Sequence, residues 1–182
     1  MFDYGRFILK SKRQNPSEDL LSAIANAKIA DEKLTDEFLD GSWLLIIFAG
    51  NDTTRNTMSG GIKLLHENQS QKDLLMNNLD LLPNFINETV RCVSPVIHMR
   101  RTSLEEAEIN GQKIGPYEKI SLWYGAANRD PDIFENPDEF NILRENADKH
   151  LAFGIGRHTC LGKPVALMQL KEFYSQFLTR FK

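Results

Sequence analysis

The segment FGIGRHTCLG, residues 153–162, surrounds one cysteine, Cys160, with Gly154, Gly156 and Gly162 immediately ahead of a stretch with helical periodicity. A thiolate is a soft metal ligand, and a helix N-terminus aims N–H groups and positive dipole at such an anion. Glycines let a loop pass close to a flat ligand because no Cβ stands in the way. The segment therefore reads as a metal-ready thiol beside a planar group. Taken alone it reads first as a buried cysteine next to a glycine turn. A dinucleotide phosphate loop does not fit, since the third glycine falls at 162 rather than 159.

Two further groups of residues carry chemical potential. AGNDTT, residues 49–54, follows directly on the apolar run WLLIIFA. Asp52 in apolar surroundings costs free energy unless it is paired or used. Thr53 and its neighbour can bond back to the preceding turn and bend a helix, while Gly50 leaves room for a ligand face. Small residue, acid and alcohol together point to a groove that handles protons; a solvated polar stripe is the plainer alternative. In ETVR, Glu88 and Arg91 stand i,i+3 on one helix face. As an isolated surface pair they would contribute at most ~1 kcal/mol. Arg144, in FNILREN, reaches the same carboxylate only if the fold brings its segment back.

The elements that must position these residues follow from pattern and punctuation. Residues 1–35 are polar and mixed, with Asn15-Pro16 opening a short helix through Ala30. Thr35 as N-cap, with Asp36 and Glu37 in the first turn, predicts a long central helix over 36–65. It is roughly 30 residues, or ~45 Å, long. Being apolar almost all round between Trp43 and Ala49, it belongs inside a larger body, and one apolar flank is expected to be uncovered here. A helical segment over 71–76 precedes an acid–arginine helix over 79–93, with Leu82, Phe85, Ile86 and Val90 on one face. Residues 96–124 form a hairpin region in which Asn110-Gly111 is a two-residue turn. The Pro/Asn/Asp-rich stretch 125–150 is a meander held by tertiary contacts, followed by the cysteine loop at 153–162 and a final helix over 161–181.

Composition narrows the function. The 182 residues are 41% hydrophobic and 26% charged, as in a packed globular protein. With 22 Lys plus Arg against 25 Asp plus Glu, the net charge of -3 offers no basic excess for nucleic acid. Two cysteines form neither a disulfide framework nor a zinc site, so the chain reads as reduced and cytoplasmic. The longest apolar run is far short of the ~20 residues that span a bilayer, and no membrane span is expected.

AGNDTT, ETVR, FNILR and FGIGRHTCLG, in that order, resemble the haem-thiolate monooxygenases of the cytochrome P-450 superfamily, bacterial type, over essentially the whole chain. The resemblance implies a fold that is mainly α with small β hairpins, of which this chain is the C-terminal, haem-ligating part, truncated at both ends. It implies haem b (iron protoporphyrin IX) as cofactor and Cys160 as the thiolate ligand of the haem iron, pushing electron density that favours O–O cleavage. Phe153 then packs beside the haem, and Gly154, Gly156 and Gly162 permit its close approach. Ala49 also lies against it. His158 and Arg101, or its neighbour Arg100, bond the propionates. Glu88, Arg91 and Arg144 form a buried structural triad. Asp52 and Thr53 are the acid–alcohol pair that delivers protons to bound dioxygen. Leu45, Ala49, Val96 and Ile97 touch substrate, and their apolar character implies a hydrophobic small molecule. MRRT with KISLWYGAANRD is similar to members that oxidise sterols, branched lipids or terpenoids. The electron donor implied is a ferredoxin or a flavoprotein.

Family chains are about twice this long on the usual single-domain reckoning. The helices roofing the distal side are expected to precede Met1, and the terminal hairpins to follow Lys182. HENQSQ also lacks a proline usual after the long helix. Two readings follow: a monooxygenase inserting one oxygen atom into a C–H bond, or a truncated, non-catalytic fragment that at most binds haem. A peroxygenase is disfavoured, because peroxide use needs no acid–alcohol relay.

Overall fold

The computed structural model describes residues 1–181, so Lys182, the last residue of the predicted domain, lies outside the described residues. Helices are α1 (Phe2–Gln14), α2 (Leu20–Asn26), α3 (Asp36–Glu67), α4 (Gln69–Asn77), α5 (Leu82–Val93), α6 (Tyr124–Ala127) and α7 (Lys163–Arg180). Strands are β1 (Lys28–Ile29), β2 (Glu32–Lys33), β3 (His98–Thr102), β4 (Ala107–Ile109), β5 (Gln112–Ile114) and β6 (Lys119–Trp123). They pair antiparallel as β1 with β2, β3 with β6 and β4 with β5. The fold is mainly helical with small hairpins. Two compact units divide inside α3, at Asp52 and Thr53, and each is described by itself.

In the first unit the helix predicted from Asn15 to Ala30 is replaced by three elements. Its proline-led start is loop, and Asp19 caps α2 by accepting from the Ser22 N–H at 2.8 Å. The end of that stretch turns back as the β1–β2 hairpin, whose loop residues Ala30 and Asp31 have φ of 51° and 65°. That left-handed pair lacks the Asn-Gly signature, which is why no turn was legible there. α1 was also not legible: it buries only Gly5 and Leu9, too narrow a face for a periodicity argument. Tertiary contact holds it, since a Cβ on Gly5 would lie 2.6 Å from the Trp43 ring. Leu9, Ala25, Leu39 and Trp43 form this unit's core. Beyond Trp43, the apolar residues Leu44, Leu45, Ile47 and Phe48 are exposed.

The second unit is built on α5, which is buried on two faces. Leu82, Phe85, Ile86 and Val90 pack with Leu65, Leu75, Phe140, Ile142, Leu170, Tyr174 and Leu178, while Glu88 and Arg91 are wholly buried on the other side. Its end is set by Ser94 in the left-handed region at φ 41°. β3 and β6 enclose the β4–β5 hairpin in sequence, with Arg101 opposite Ile120. The hairpin turn is Asn110-Gly111, at φ 49° and 77°. The final helix begins at Lys163, two residues later than the periodicity alone suggests, because Gly162 is its N-cap and Pro164 sits in its first turn.

Close approach between helices depends on Gly61. A Cβ there would collide with the Tyr174 hydroxyl and lie 2.9 Å from Thr89. The Tyr174 O–H donates to the carbonyls of Thr57 (2.9 Å) and Met58 (3.0 Å), tying α7 to this part of α3. Burial pushes that phenol well above its ordinary pKa, so it stays a donor. Gly61→Ala is expected to destabilise the second unit by ~1–3 kcal/mol through overpacking, and Tyr174→Phe by ~1 kcal/mol through the lost hydrogen bond. A lowered urea midpoint with unchanged slope checks both; an unchanged midpoint for Gly61→Ala contradicts the close approach.

Candidate functional site

The charged centre of the second unit is the Glu88 carboxylate. Arg91 donates to it through Nε and Nη2, each at 2.8 Å, in a two-pronged geometry. Arg144 donates from Nε to Oε1 at 3.1 Å, and the backbone N–H of Asn141 adds a bond at 3.0 Å. The remaining N–H groups of Arg91 reach the carbonyls of Asn128 (2.8 Å), Pro137 (2.7 Å) and Glu139 (3.0 Å). Its guanidinium also lies 5.1 Å from the Phe134 ring centroid. Burial is the largest single effect and opposes the Arg91 charge, but the hydrogen bonds to Glu88 and the charge interactions with its neighbours together outweigh it, and its pKa stands above the ordinary arginine value. The structure thus brings Glu88, Arg91 and Arg144 together across residues 128–144, a segment with no regular secondary structure.

From this knot the chain runs into the cysteine loop. The loop is shaped by its own backbone: Gly154 N–H donates to Leu151 O (2.8 Å), Cys160 N–H to Phe153 O (2.8 Å), and Lys163 N–H to Cys160 O (3.2 Å). Gly154 and Gly156 have φ of 68° and 73°, values that L side chains rarely adopt. Gly162, by contrast, sits at φ -79°, open to any residue, and an added Cβ would meet only the Cys160 Sγ, at 3.8 Å. Phe153 is half-buried, with the His150 ring tilted against it at 5.6 Å between centroids and the Lys163 ammonium 5.5 Å from its centroid.

The two thiols differ in kind. Cys92 is half-buried beside the Glu88–Arg91 pair, and burial, followed by the Glu88 charge, pushes its pKa up to about 11. It is a protonated, inert thiol. Cys160 is exposed, on a loop whose neighbours Ile155 (77% exposed) and Leu161 (82% exposed) are apolar and uncovered. His158 is exposed in the same loop. A single free thiol among exposed apolar side chains and left-handed glycines suits a flat, apolar group that brings its own metal, and in that sense the residues present fit haem.

The other predicted residues are placed as follows. Arg100 is exposed and Arg101 half-buried on β3, and strand alternation points them to opposite faces, so only one of them can serve a given ligand. Val96 is half-buried and Ile97 exposed ahead of that strand. Leu45, Ala49 and Asp52 belong to the first unit and are exposed; Thr53 opens the second and is half-buried. Asp52 is therefore not the buried carboxylate expected from its apolar neighbours, because nothing in the first unit covers that turn of α3. Thr57, one turn further on, bonds back to the preceding turn, its hydroxyl donating to Thr53 O at 2.9 Å. Sequence reasoning missed Asn128 and His150. Nothing in NRDP or DKHL marks either residue, since their roles depend on contacts far along the chain.

The profile of the family described as Cytochrome P450 matches residues 3–182. The chain belongs to the cytochrome P450 family. It is 39% identical to a putative cytochrome P450 126 of Mycobacterium tuberculosis over 184 residues, spanning 100% of this chain and 44% of the relative. It is 38% identical to linalool 8-monooxygenase of Pseudomonas putida, spanning 96% and 43%. A crystal structure of CYP109E1 from Bacillus megaterium in complex with corticosterone superposes with a TM-score of 0.87 at 36% identity, covering 99% of this chain and 48% of that one. The chain thus spans less than half the length of these relatives. P450s are haem-binding monooxygenases that act on hydrophobic substrates with electrons from redox partners. Among the described residues no helix is long and apolar enough to cross a membrane.

Two predictions follow from this geometry. Glu88→Ala leaves two buried guanidinium groups uncompensated and is expected to cost ~3–5 kcal/mol or abolish folding; thermal melting monitored by circular dichroism checks it. His150 is buried, and burial first, then the Lys163 charge, lowers its pKa from 6.5 to about 4. The unfolded chain therefore binds a proton that the folded chain refuses between those values. The His150 contribution to stability is full above pH 6.5 and is lost as pH falls towards 4. Against the parent, His150→Gln is expected to lose less stability between pH 7 and 4.5, as read by urea titration at each pH; equal losses contradict this.

Proposed function

We propose that this chain carries the haem-ligating half of a bacterial-type P450 monooxygenase that oxidises a C–H bond of a hydrophobic small molecule. The observation that supports this best is the exposed Cys160 thiol on a loop fixed by the Cys160 N–H to Phe153 O bond. In this reading Cys160 holds the iron of haem b. When bound, the haem would supply the oxidising chemistry with dioxygen, and the protein would tune it through the Cys160 sulfur and nearby hydrogen bonds.

This chain's own residues then bind, orient and move protons. Phe153 would pack beside the cofactor, Gly154, Gly156 and Gly162 would permit its close approach, and Ala49 would contribute an apolar contact to it. His158 and one of Arg100 or Arg101 bond its propionates; the two-donor fork of Arg suits a carboxylate. Asp52 and Thr53 take up protons at carboxylate and hydroxyl oxygen and pass them towards dioxygen. Leu45, Ala49, Val96 and Ile97 exclude water and contact substrate. A sterol, branched lipid or terpenoid fits that apolar lining, in keeping with the names of linalool 8-monooxygenase and the corticosterone complex of CYP109E1. Electrons come from a ferredoxin or flavoprotein, and the protein works in the cytoplasm.

The exposed row Leu44, Leu45, Ile47 and Phe48 supports a second statement about this polypeptide taken alone. Uncovered apolar area costs ~25 cal/mol per Å², so the chain by itself holds haem weakly and turns over little. A full-occupancy thiolate band in the reduced, carbon-monoxide-treated sample contradicts that statement. Cys160→Ser, made in the polypeptide that takes up haem, is expected to abolish the thiolate spectrum while leaving far-ultraviolet circular dichroism unchanged. Retention of the thiolate band refutes the ligand assignment. Thr53→Ala is expected to keep haem binding yet divert reductant into peroxide, and unchanged coupling between reductant and product refutes the relay.

A further inference from the structure

Asn128 is wholly buried, and both ends of its side chain are used. Its Nδ2 donates to Ser94 Oγ at 2.8 Å, and its Oδ1 accepts from the backbone N–H of Leu151 at 2.6 Å. A backbone N–H can only donate, so the amide has one orientation. Ser94, in the left-handed position that ends α5, donates its own O–H to Arg91 O at 2.8 Å. The Asn128 carbonyl accepts from Arg91 Nη1 at 2.8 Å, and its N–H is held by Tyr124 O at 2.9 Å. Apart from the N–H, which closes α6, the polar groups of this residue are tied to the Glu88–Arg91 knot, to the end of α5 and to the start of the cysteine loop.

Leu151 is where the loop is launched. Its carbonyl accepts the Gly154 N–H at 2.8 Å, which sets the first left-handed glycine, and two residues later Phe153 O accepts the Cys160 N–H. We propose that Asn128 is a positioning residue for the metal-ligand loop: it transmits the fixed position of the α5 end to Leu151 and so sets where Cys160 stands. This rests on the reading of Cys160 as the iron ligand only for its consequence in the haem-loaded protein. The hydrogen-bond path itself does not depend on that reading.

Two measurements on Asn128→Ala test it in the full chain. Amide hydrogen exchange without haem is expected to quicken by about tenfold over residues 151–160, the equivalent of ~1.4 kcal/mol, while the amides of α5 keep their rates. In haem-loaded protein the reduced carbon-monoxide spectrum is expected to shift from the thiolate band towards that of a neutral thiol. Unchanged exchange over 151–160, equal quickening throughout α5, or an intact thiolate band despite a loosened loop each overturns the proposal. Should Asn128→Ala not fold, Ser94→Ala removes the far anchor of Asn128, together with the Ser94 bond to Arg91 O, while leaving the Asn128–Leu151 bond in place; it is read the same way, with a smaller quickening over 151–160 expected and none overturning the proposal. A parent protein that takes up haem without a thiolate band refutes the Cys160 assignment instead, and the exchange data still decide the role of Asn128.

Discussion

A carboxylate with no exposure to water governs the second unit. Moving the Glu88 charge out of solvent costs several kcal/mol on its own, and the fold tolerates it because two guanidinium groups and one backbone N–H converge on its two oxygens. That solution creates a further demand, since the two arginines bring more N–H groups than one carboxylate can accept. The surplus is satisfied by carbonyls of Asn128, Asn136, Pro137 and Glu139. Those carbonyls belong to a segment with no helix or sheet of its own, and an irregular backbone can be buried only when its polar groups find such partners. The ion cluster and the meander therefore require each other.

This dependence explains how a loop carrying an exposed thiol can have a defined shape. The order of the meander reaches the loop through Asn128 and Leu151, and the loop's internal bonds to Gly154 and Cys160 then fix the sulfur relative to its own backbone. Two glycines at positive φ allow that path without strain. Ile155 and Leu161 beside the thiol are exposed, whereas Glu88, Arg91, Arg144 and Asn128 behind the loop are hydrogen-bonded. Such asymmetry suits a flat apolar cofactor, and the cytochrome P450 family, to which the chain belongs, binds haem. Cys92 lies only one residue beyond Arg91, yet burial beside the cluster suppresses its chemistry.

Much of the helical framework was legible because local chemistry and tertiary packing agree there. Thr35, Asp36 and Glu37 mark the start of α3, and the four apolar positions of α5 mark the face that meets the core. Asn110-Gly111 is legible as a turn since both residues accept positive φ at little cost, while Ala30-Asp31 takes the same conformation with no such signature. α1 escaped notice because only Gly5 and Leu9 are buried, and its stability comes from a tryptophan far along the chain. In the site, glycine spacing and helix punctuation single out Cys160, but no rule of spacing connects Asn128 to Leu151 or explains a buried His150.

The sequence by itself determined what is local: which stretches coil, where a helix can begin, which cysteine sits among glycines, and, through four ordered motifs, the family. Tertiary structure alone decided that Arg144 returns to Glu88 across 56 residues, that the meander is ordered by side chains rather than by its own ladder, and that Cys160 is exposed while Cys92 is not. The physical reason is that burial and hydrogen-bond satisfaction are properties of neighbours in space, and a one-dimensional pattern encodes such neighbours only when they recur at the period of a helix or a strand.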